Sequence, residues 1–284
     1  MRRNTTTIVS RNLFRLVFLV YGLIVLLPFV WMFYNTFKTN MEFNHNIWSL
    51  PAQLEWQNYV VAFTKVHVGV YMVNSVIITS IAVLVNLGLS ALIAYVLARF
   101  AFIGRDFLYK LFIAGLLMPQ ILTVIPYFFL MREFHLYNTR LSVIIAYIFW
   151  GMPFAVFLLV AFFKTLPHEL EQSAMIDGCS HFKTFSLVML PLARPGLITV
   201  GVFHFLEFWS TYILPLTLIG DTVKKPLALG LVEFLSGLYD TFGERRDWGA
   251  MFAAAIICIL PVLVVYAVFQ RRLISGLTAG SLKG

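Results

Sequence analysis

Glu207 is the one carboxylate that lies clearly inside a long apolar run, and His204 precedes it by one helical turn. An ionisable pair in such a setting is where a proton relay or a polar ligand contact would sit. Ser210 follows Glu207 by three residues, so on a helix the two share a face and could line a cavity together. Asn86, Gln120, Thr123, Trp209 and Tyr212 are the other side chains in apolar runs able to hydrogen-bond a ligand or stack on it. These seven residues are the candidates for a substrate path. Three of them have a plainer alternative. Glu207 could bond a neighbouring helix, and Trp209 and Tyr212 could stand in the aromatic belt of a membrane interface. Catalytic patterns are missing: the chain has no G-x-x-x-x-G-K-[ST] phosphate loop, no H-E-x-x-H and no nucleophile elbow. Cys179 and Cys258 have no C-x-x-C spacing, so neither a metal nor redox chemistry is expected, and each reads as a small buried residue. Work against a gradient would then draw its energy from another chain or from an ion. One Glu–His pair is thin ground for an ion-coupled carrier, and a membrane enzyme would need a polar cluster that the sequence lacks.

The elements that position these residues follow from composition. The 284 residues are 60% hydrophobic and 12% charged, against about 45–50% apolar and about 25% charged in an ordinary soluble domain. Such a surplus of apolar surface aggregates in water and needs lipid as its solvent. Apolar runs of about 20 residues cross a bilayer as helices. Six are expected, at 13–36, 72–97, 108–131, 141–163, 197–219 and 249–270. They make one all-α, polytopic domain over 13–270, with tails at 1–12 and 271–284. The basic start resembles a signal peptide, but the apolar stretch is too long for one and no cleavage pattern follows, so it reads as a retained helix.

Placing the N-terminus inside puts Arg2, Arg3, Arg11, Arg15, Arg99, Arg105, Lys110, Lys164, Lys183, Arg194, Arg271, Arg272 and Lys283 on one side. The other side is near neutral, so the positive-inside rule sets both termini in the cytoplasm. The net charge of +8 is thereby a topology signal, and no nucleic-acid partner is expected. Pro28, Pro119, Pro126, Pro153, Pro215 and Pro261 fall within the spans, where neighbouring helices can satisfy the freed backbone groups. Ser90, Ala94 and Ala98, and the pairs Gly249/Ala253 and Ala250/Ala254, mark helix seams. The outer segments 37–71 and 220–248, the latter with Glu244-Arg245-Arg246-Asp247, read as solvated faces or as a docking surface.

The inner loop 164–196 carries its own helix signals. Pro167 opens a helix, Glu169 and Glu171 suit its positive end, and Gly178 ends it. A second amphipathic stretch, His181 to Leu190, runs into Pro191. Helix, glycine turn and helix form a rigid knob fit to touch something in the cytoplasm.

The run from Pro167 to Gly178, followed by Leu190-Pro191, resembles the EAA loop of ABC importer permeases. Here the E-A-A positions read Gln172, Ser173 and Ala174, while Asp177-Gly178 and Leu190-Pro191 match. The change at Gln172 removes a charge, which weakens any claim that docking needs a carboxylate at that position. The tail from Gly276 to Gly284, Asn74-Ser75, the stretch Tyr95 to Phe100, Asn138-Thr139 and Phe208-Trp209-Ser210 resemble the MalG-like arm of the sugar-importer branch. The likeness covers about 14–284.

The resemblance implies a type I ABC importer permease fold in a bacterial inner membrane. It implies a second, non-identical permease, a cytoplasmic ATPase dimer and an extracytoplasmic substrate-binding protein as partners, with a sugar as cargo. ATP and magnesium would sit on the ATPase, so this chain needs no cofactor and is not an enzyme. Glu169, Glu171, Gln172, Ser173, Ala174, Asp177 and Gly178 would form the coupling loop, and Gly276, Thr278 and Gly280 of the tail would reach the ATPase interface. A sugar phosphate, a polyol or an acidic oligosaccharide remains an alternative cargo, and an ion-coupled carrier an alternative class.

Overall fold

The computed structural model describes residues 3–237 and 247–281, with side chains over 11–236 and 247–270. Glu244, Arg245 and Arg246 lie outside the described residues, as do Leu282, Lys283 and Gly284, and the tail's Thr278 lies outside the described side chains. All described elements are helical. Among the described residues, four helices are long and apolar enough to cross a membrane, and up to six spans result if each of two bent pairs counts as one. The chain groups into two compact units, residues 1–68 with 233–257, and residues 69–232 with 258–284.

In the first unit, α1 (Arg3–Asn35) is polar at its start and apolar on every side beyond Arg15, and none of its most apolar stretch is buried, as suits a helix whose solvent is lipid. Two short helices follow, α2 (Asn40–His45) and α3 (Gln57–Thr64). A capping box starts α2. The Thr39 hydroxyl accepts from the Glu42 N–H, and the Glu42 carboxylate accepts from the Thr39 N–H. The Thr39 N–H, joined by the Ala52 N–H, holds the Glu42 carboxyl below its ordinary value. Trp31 packs its ring against Phe43, Trp48 and Phe252. Asn58 Nδ2 donates to the carbonyls of Thr36 (2.7 Å) and Lys38 (2.9 Å), pinning the chain where α1 ends. Gly249, Ala250, Ala253 and Ala254 are buried, as the small-residue pattern predicts.

The second unit holds α4 (Val68–Arg99), α5 (Arg105–Leu117), α6 (Val124–Glu133), α7 (Arg140–Thr165), α8 (Glu169–Ile176), α9 (His181–Leu192), α10 (Arg194–Ser210), α11 (Ile213–Leu218) and most of α12 (Leu227–Gly237). The long α13 (Trp248–Ser281) contributes its later residues. Two of the expected straight spans are broken. The run 108–131 turns by 98° between α5 and the short Gln120–Thr123 helix leading into α6. Pro119 forces Met118 into an extended conformation, which a helix cannot continue through. The run 197–219 breaks at Thr211-Tyr212, because Pro215 has no N–H to give the Thr211 carbonyl. Tyr147 Oη on α7 donates to that carbonyl instead, at 3.3 Å.

One buried cluster joins Ile78, Val143, Tyr147, Phe208 and Leu214, and a second joins Ala94, Tyr95, Leu159, Phe163, Phe185 and Met189. Ser90 and Ala94 of the expected seam are fully buried, with Ala98 half-buried. The Asn74-Ser75 pair has a structural role. Asn74 Nδ2 donates to the carbonyls of Val223 (2.8 Å) and Lys225 (2.9 Å), and Ser75 Oγ accepts from the Leu227 N–H (2.7 Å). Asn138, at a φ of 61°, likewise gathers the N–H groups of Gly220 and Asp221 on its side-chain oxygen.

Candidate functional site

Two places in the second unit gather the candidate residues. The first is the knob. His168 precedes α8, Gly178 follows it at a φ of +81°, and Ser180 caps α9 through the Lys183 N–H. Only glycine takes that φ without strain, so the turn direction is written into Gly178. The Cys179 N–H returns to the Ala174 carbonyl (3.0 Å) and the Gly178 N–H to the Met175 carbonyl (3.1 Å), closing the helix end. A π-turn over Thr184–Met189 then carries α9 to Pro191.

The coupling-loop candidates divide by face. Glu169, Gln172, Ser173 and Asp177 point outward. Glu171 and Ala174 point inward, so Glu171 is no docking contact, contrary to its place in that set. Its Oε1 stands 3.2 Å from Arg99 Nε, with the two side chains 9% and 2% exposed. The contact is one of charge rather than an aligned hydrogen bond. Arg99 Nη2 also donates to the Leu166 carbonyl at 2.7 Å, so the end of α4 holds both the entry to the knob and α8. Leu170, Met175, Ile176, Phe182 and Leu187 are exposed apolar side chains of α8 and α9, with Ile176 standing 86% clear.

The second place is a pair of cavities at the two helix breaks. One, of about 320 Å³, is lined by Gln120, Thr123, Trp150, Gly151, Phe154 and Glu207 among others. Its neighbour, of about 250 Å³, shares Gln120 and Trp150 and adds Ser210 and Tyr212. Small-molecule sites span about 300–1,000 Å³ and combine aromatic walls with a few polar groups. Gln120 Nε2 donates to Glu207 Oε1 at 3.1 Å, across 87 residues of sequence. His204 Nδ1 stands 3.5 Å from Glu207 Oε2. The His204 ring is fully buried, stacked on Phe208, which stacks in turn on Tyr147. Gly151 permits this closeness, since a Cβ there would meet the imidazole at 2.9 Å.

Of the seven path candidates, Gln120, Thr123, Glu207, Ser210 and Tyr212 line the two cavities. Glu207 and Ser210 face adjacent cavities rather than one, and the Ser210 hydroxyl bonds the Leu206 carbonyl of its own helix (2.8 Å). The other two are corrected. Asn86 is fully buried and donates to the Ile148 carbonyl (2.6 Å), which makes it a tie between α4 and α7. Trp209 is buried and donates Nε1–H to the Cys258 carbonyl (3.1 Å), a packing role and not a belt position. Sequence reasoning missed Trp150 and Arg99. Trp150 sits in an apolar run with nothing beside it to mark it. Arg99 carried a signal, a lone cation at a span end, that pointed to topology rather than to a partner.

The comparisons with known proteins bear on the whole chain. A family model described as "Binding-protein-dependent transport system inner membrane component" matches residues 86–278. The diacetylchitobiose uptake system permease protein NgcG of Streptomyces coelicolor is 39% identical over 93% of this chain and 86% of its own length. The trehalose/maltose transport system permease protein MalG of Thermococcus litoralis is 32% identical, covering 94% of each chain. Among solved structures, a bacterial ABC transporter that imports the acidic polysaccharide alginate aligns with a TM-score of 0.80 at 20% identity, over 95% of this chain and 99% of that one.

Proposed function

Because the chain belongs to the binding-protein-dependent transport system inner membrane component family, we propose that it is the permease subunit of a sugar importer that couples to a separate ATPase through its knob. It is a multi-pass membrane component of a transporter, not an enzyme in its own right. A second permease completes the pathway, and an extracytoplasmic binding protein delivers the sugar.

The observation that carries the coupling reading is the knob's construction. Large apolar side chains left exposed on α8, Ile176 above all, are costly in water unless a protein covers them. The side of α8 opposite Ile176 is anchored through Glu171 and Arg99 to the end of α4. A push on α8 is therefore delivered to a membrane helix rather than absorbed by a loose hairpin. In this reading α8 seats in a cleft of the ATPase, and closure of the ATPase dimer moves α4 through that anchor. The tail residues Gly276, Thr278 and Gly280 belong to the same ATPase contact. Sugar passes the cavities at the helix breaks, where Trp150 offers a flat apolar face and Gln120, Glu207 and Tyr212 offer hydrogen bonds.

The test is gentle purification of the tagged chain from native membranes with identification of what stays bound. A second permease and an ATPase should co-isolate, and sugar uptake should stop when ATP is depleted. One observation favours the other reading, an ion-coupled carrier: the Glu207–His204 contact inside a span. A chain that purifies alone, transports, and stops when the ion gradient collapses would replace the importer reading with the carrier.

A further inference from the structure

The walls of the two cavities hold one fully charged side chain, the Glu207 carboxylate, and among the lining residues no lysine or arginine. Glu207 is 40% exposed, so it faces the cavity and is not closed over by protein. Of its two polar neighbours, the Gln120 amide donates to one carboxylate oxygen and the His204 imidazole stands 3.5 Å from the other without an aligned hydrogen bond. Neither carries the fixed cation of a guanidinium or an ammonium. Around them stand Trp150, Phe149, Phe154, Leu116 and Pro153, which screen little. A carboxylate held by dipoles in apolar surroundings projects a negative potential over the space it faces.

We propose that Glu207, braced by Gln120 and His204, is a charge filter of the pathway. It admits neutral and amine-bearing saccharides and excludes anionic ones, sugar phosphates and uronic-acid oligomers included. This rests on the reading of the cavities as the sugar path. Two like charges brought together without a counter-ion repel strongly, whereas a hydroxyl or an ammonium finds an acceptor ready. Fold does not decide the matter, since the same architecture imports acidic alginate in the solved importer. The residues on the cavity wall decide it.

The test uses the transporter purified with its co-isolating chains in lipid nanodiscs, without the binding protein, whose own selectivity would otherwise intervene. Three labelled disaccharides of matched size are compared at neutral pH: diacetylchitobiose, which is neutral; its free-amine form, which carries positive charge; and a uronic-acid disaccharide, which is anionic. The anionic probe should bind at least about tenfold more weakly than the neutral one. Glu207→Gln, nearly the same shape, should close that gap, and Glu207→Lys should reverse the order in favour of the anion, in complexes that still assemble. Equal binding of the anionic and neutral probes to the wild type overturns the filter, as does a gap that survives in Glu207→Gln. If none of the probes binds while ATP-driven uptake of the neutral disaccharide persists in cells, the filter falls and the importer reading stands. If no ATPase co-isolates, the importer reading falls, and the ranking of the three probes still decides for or against Glu207.

Discussion

Glu171 and Glu207 are the same side chain in two regions of one unit, and the fold treats them differently. Glu171 is shut away beside a guanidinium, with Leu166 and α8 arranged round the pair. Glu207 stands at a cavity wall with only an amide and an imidazole for company. In a poorly polarisable interior a charge matched by a full counter-charge is committed to the structure. A charge met only by dipoles keeps part of its field for whatever enters. On the proposed function, the knob transmits force and the cavity is read by a ligand.

The sharpest way to break this comparison is to remove one partner of the buried pair. Arg99→Ala leaves the Glu171 carboxylate buried without its guanidinium, with only His168 and Tyr95 near it, which costs about 3–5 kcal/mol. Thermal unfolding of the purified chain should fall steeply and uptake should be lost, with Arg99→Lys recovering part of both. A mild loss, no larger than that of a Glu207 variant, would erase the distinction between the two carboxylates.

Gly178 comes next. A β-branched residue at its φ of +81° costs about 1–2 kcal/mol of backbone strain. Gly178→Val should still insert in the membrane yet uncouple uptake, while Gly178→Asn, which tolerates a left-handed turn, should keep most of it. Uptake normalised to the amount of inserted protein separates the two, and wild-type uptake by a well-expressed Gly178→Val variant would remove the knob from the mechanism.

A third carboxylate sharpens the contrast. Glu42 is spent on backbone donors in its capping box, outside the spans. Thr39→Ala should cost about 1 kcal/mol. The folded protein holds the Glu42 carboxyl below its unfolded value, first through the Thr39 N–H. Its contribution is therefore complete above the unfolded pKa, near 4.3. It is lost as pH falls from there through the lowered folded value. Melting curves taken down through that window should drop further for the wild type than for Glu42→Gln, and parallel curves would show that the cap contributes nothing. The smallest effect belongs to Glu207→Gln, whose melting should shift by no more than about 0.5 kcal/mol, because its carboxylate carries little of the fold. A large loss there would make Glu207 a structural residue like Glu171.

Much of this architecture was legible beforehand. The apolar runs announced a membrane protein, Gly178 announced its turn, and Pro167, Glu169 and the glycine bounded α8 closely. The span breaks were partly legible: Pro119 and Pro215 were visible as prolines, but a kink that neighbours absorb and a 98° turn read alike in sequence. Asn86 and Trp209 were misread for a single reason. A polar side chain in an apolar run signals only that it needs a partner, and a backbone carbonyl on a packed helix serves as well as a sugar.

What the sequence determined by itself is what depends on neighbours along the chain: hydropathy, helix ends, the glycine turn and the sidedness of charge. Tertiary structure decided which distant groups meet. It paired Arg99 with Glu171, brought Gln120 to Glu207, and clamped Val223 and Lys225 with Asn74. Those contacts depend on how broken helices pack against one another. Packing is set by the fit of whole faces, so no local pattern records which polar groups will end in salt bridges and which will be left facing a cavity.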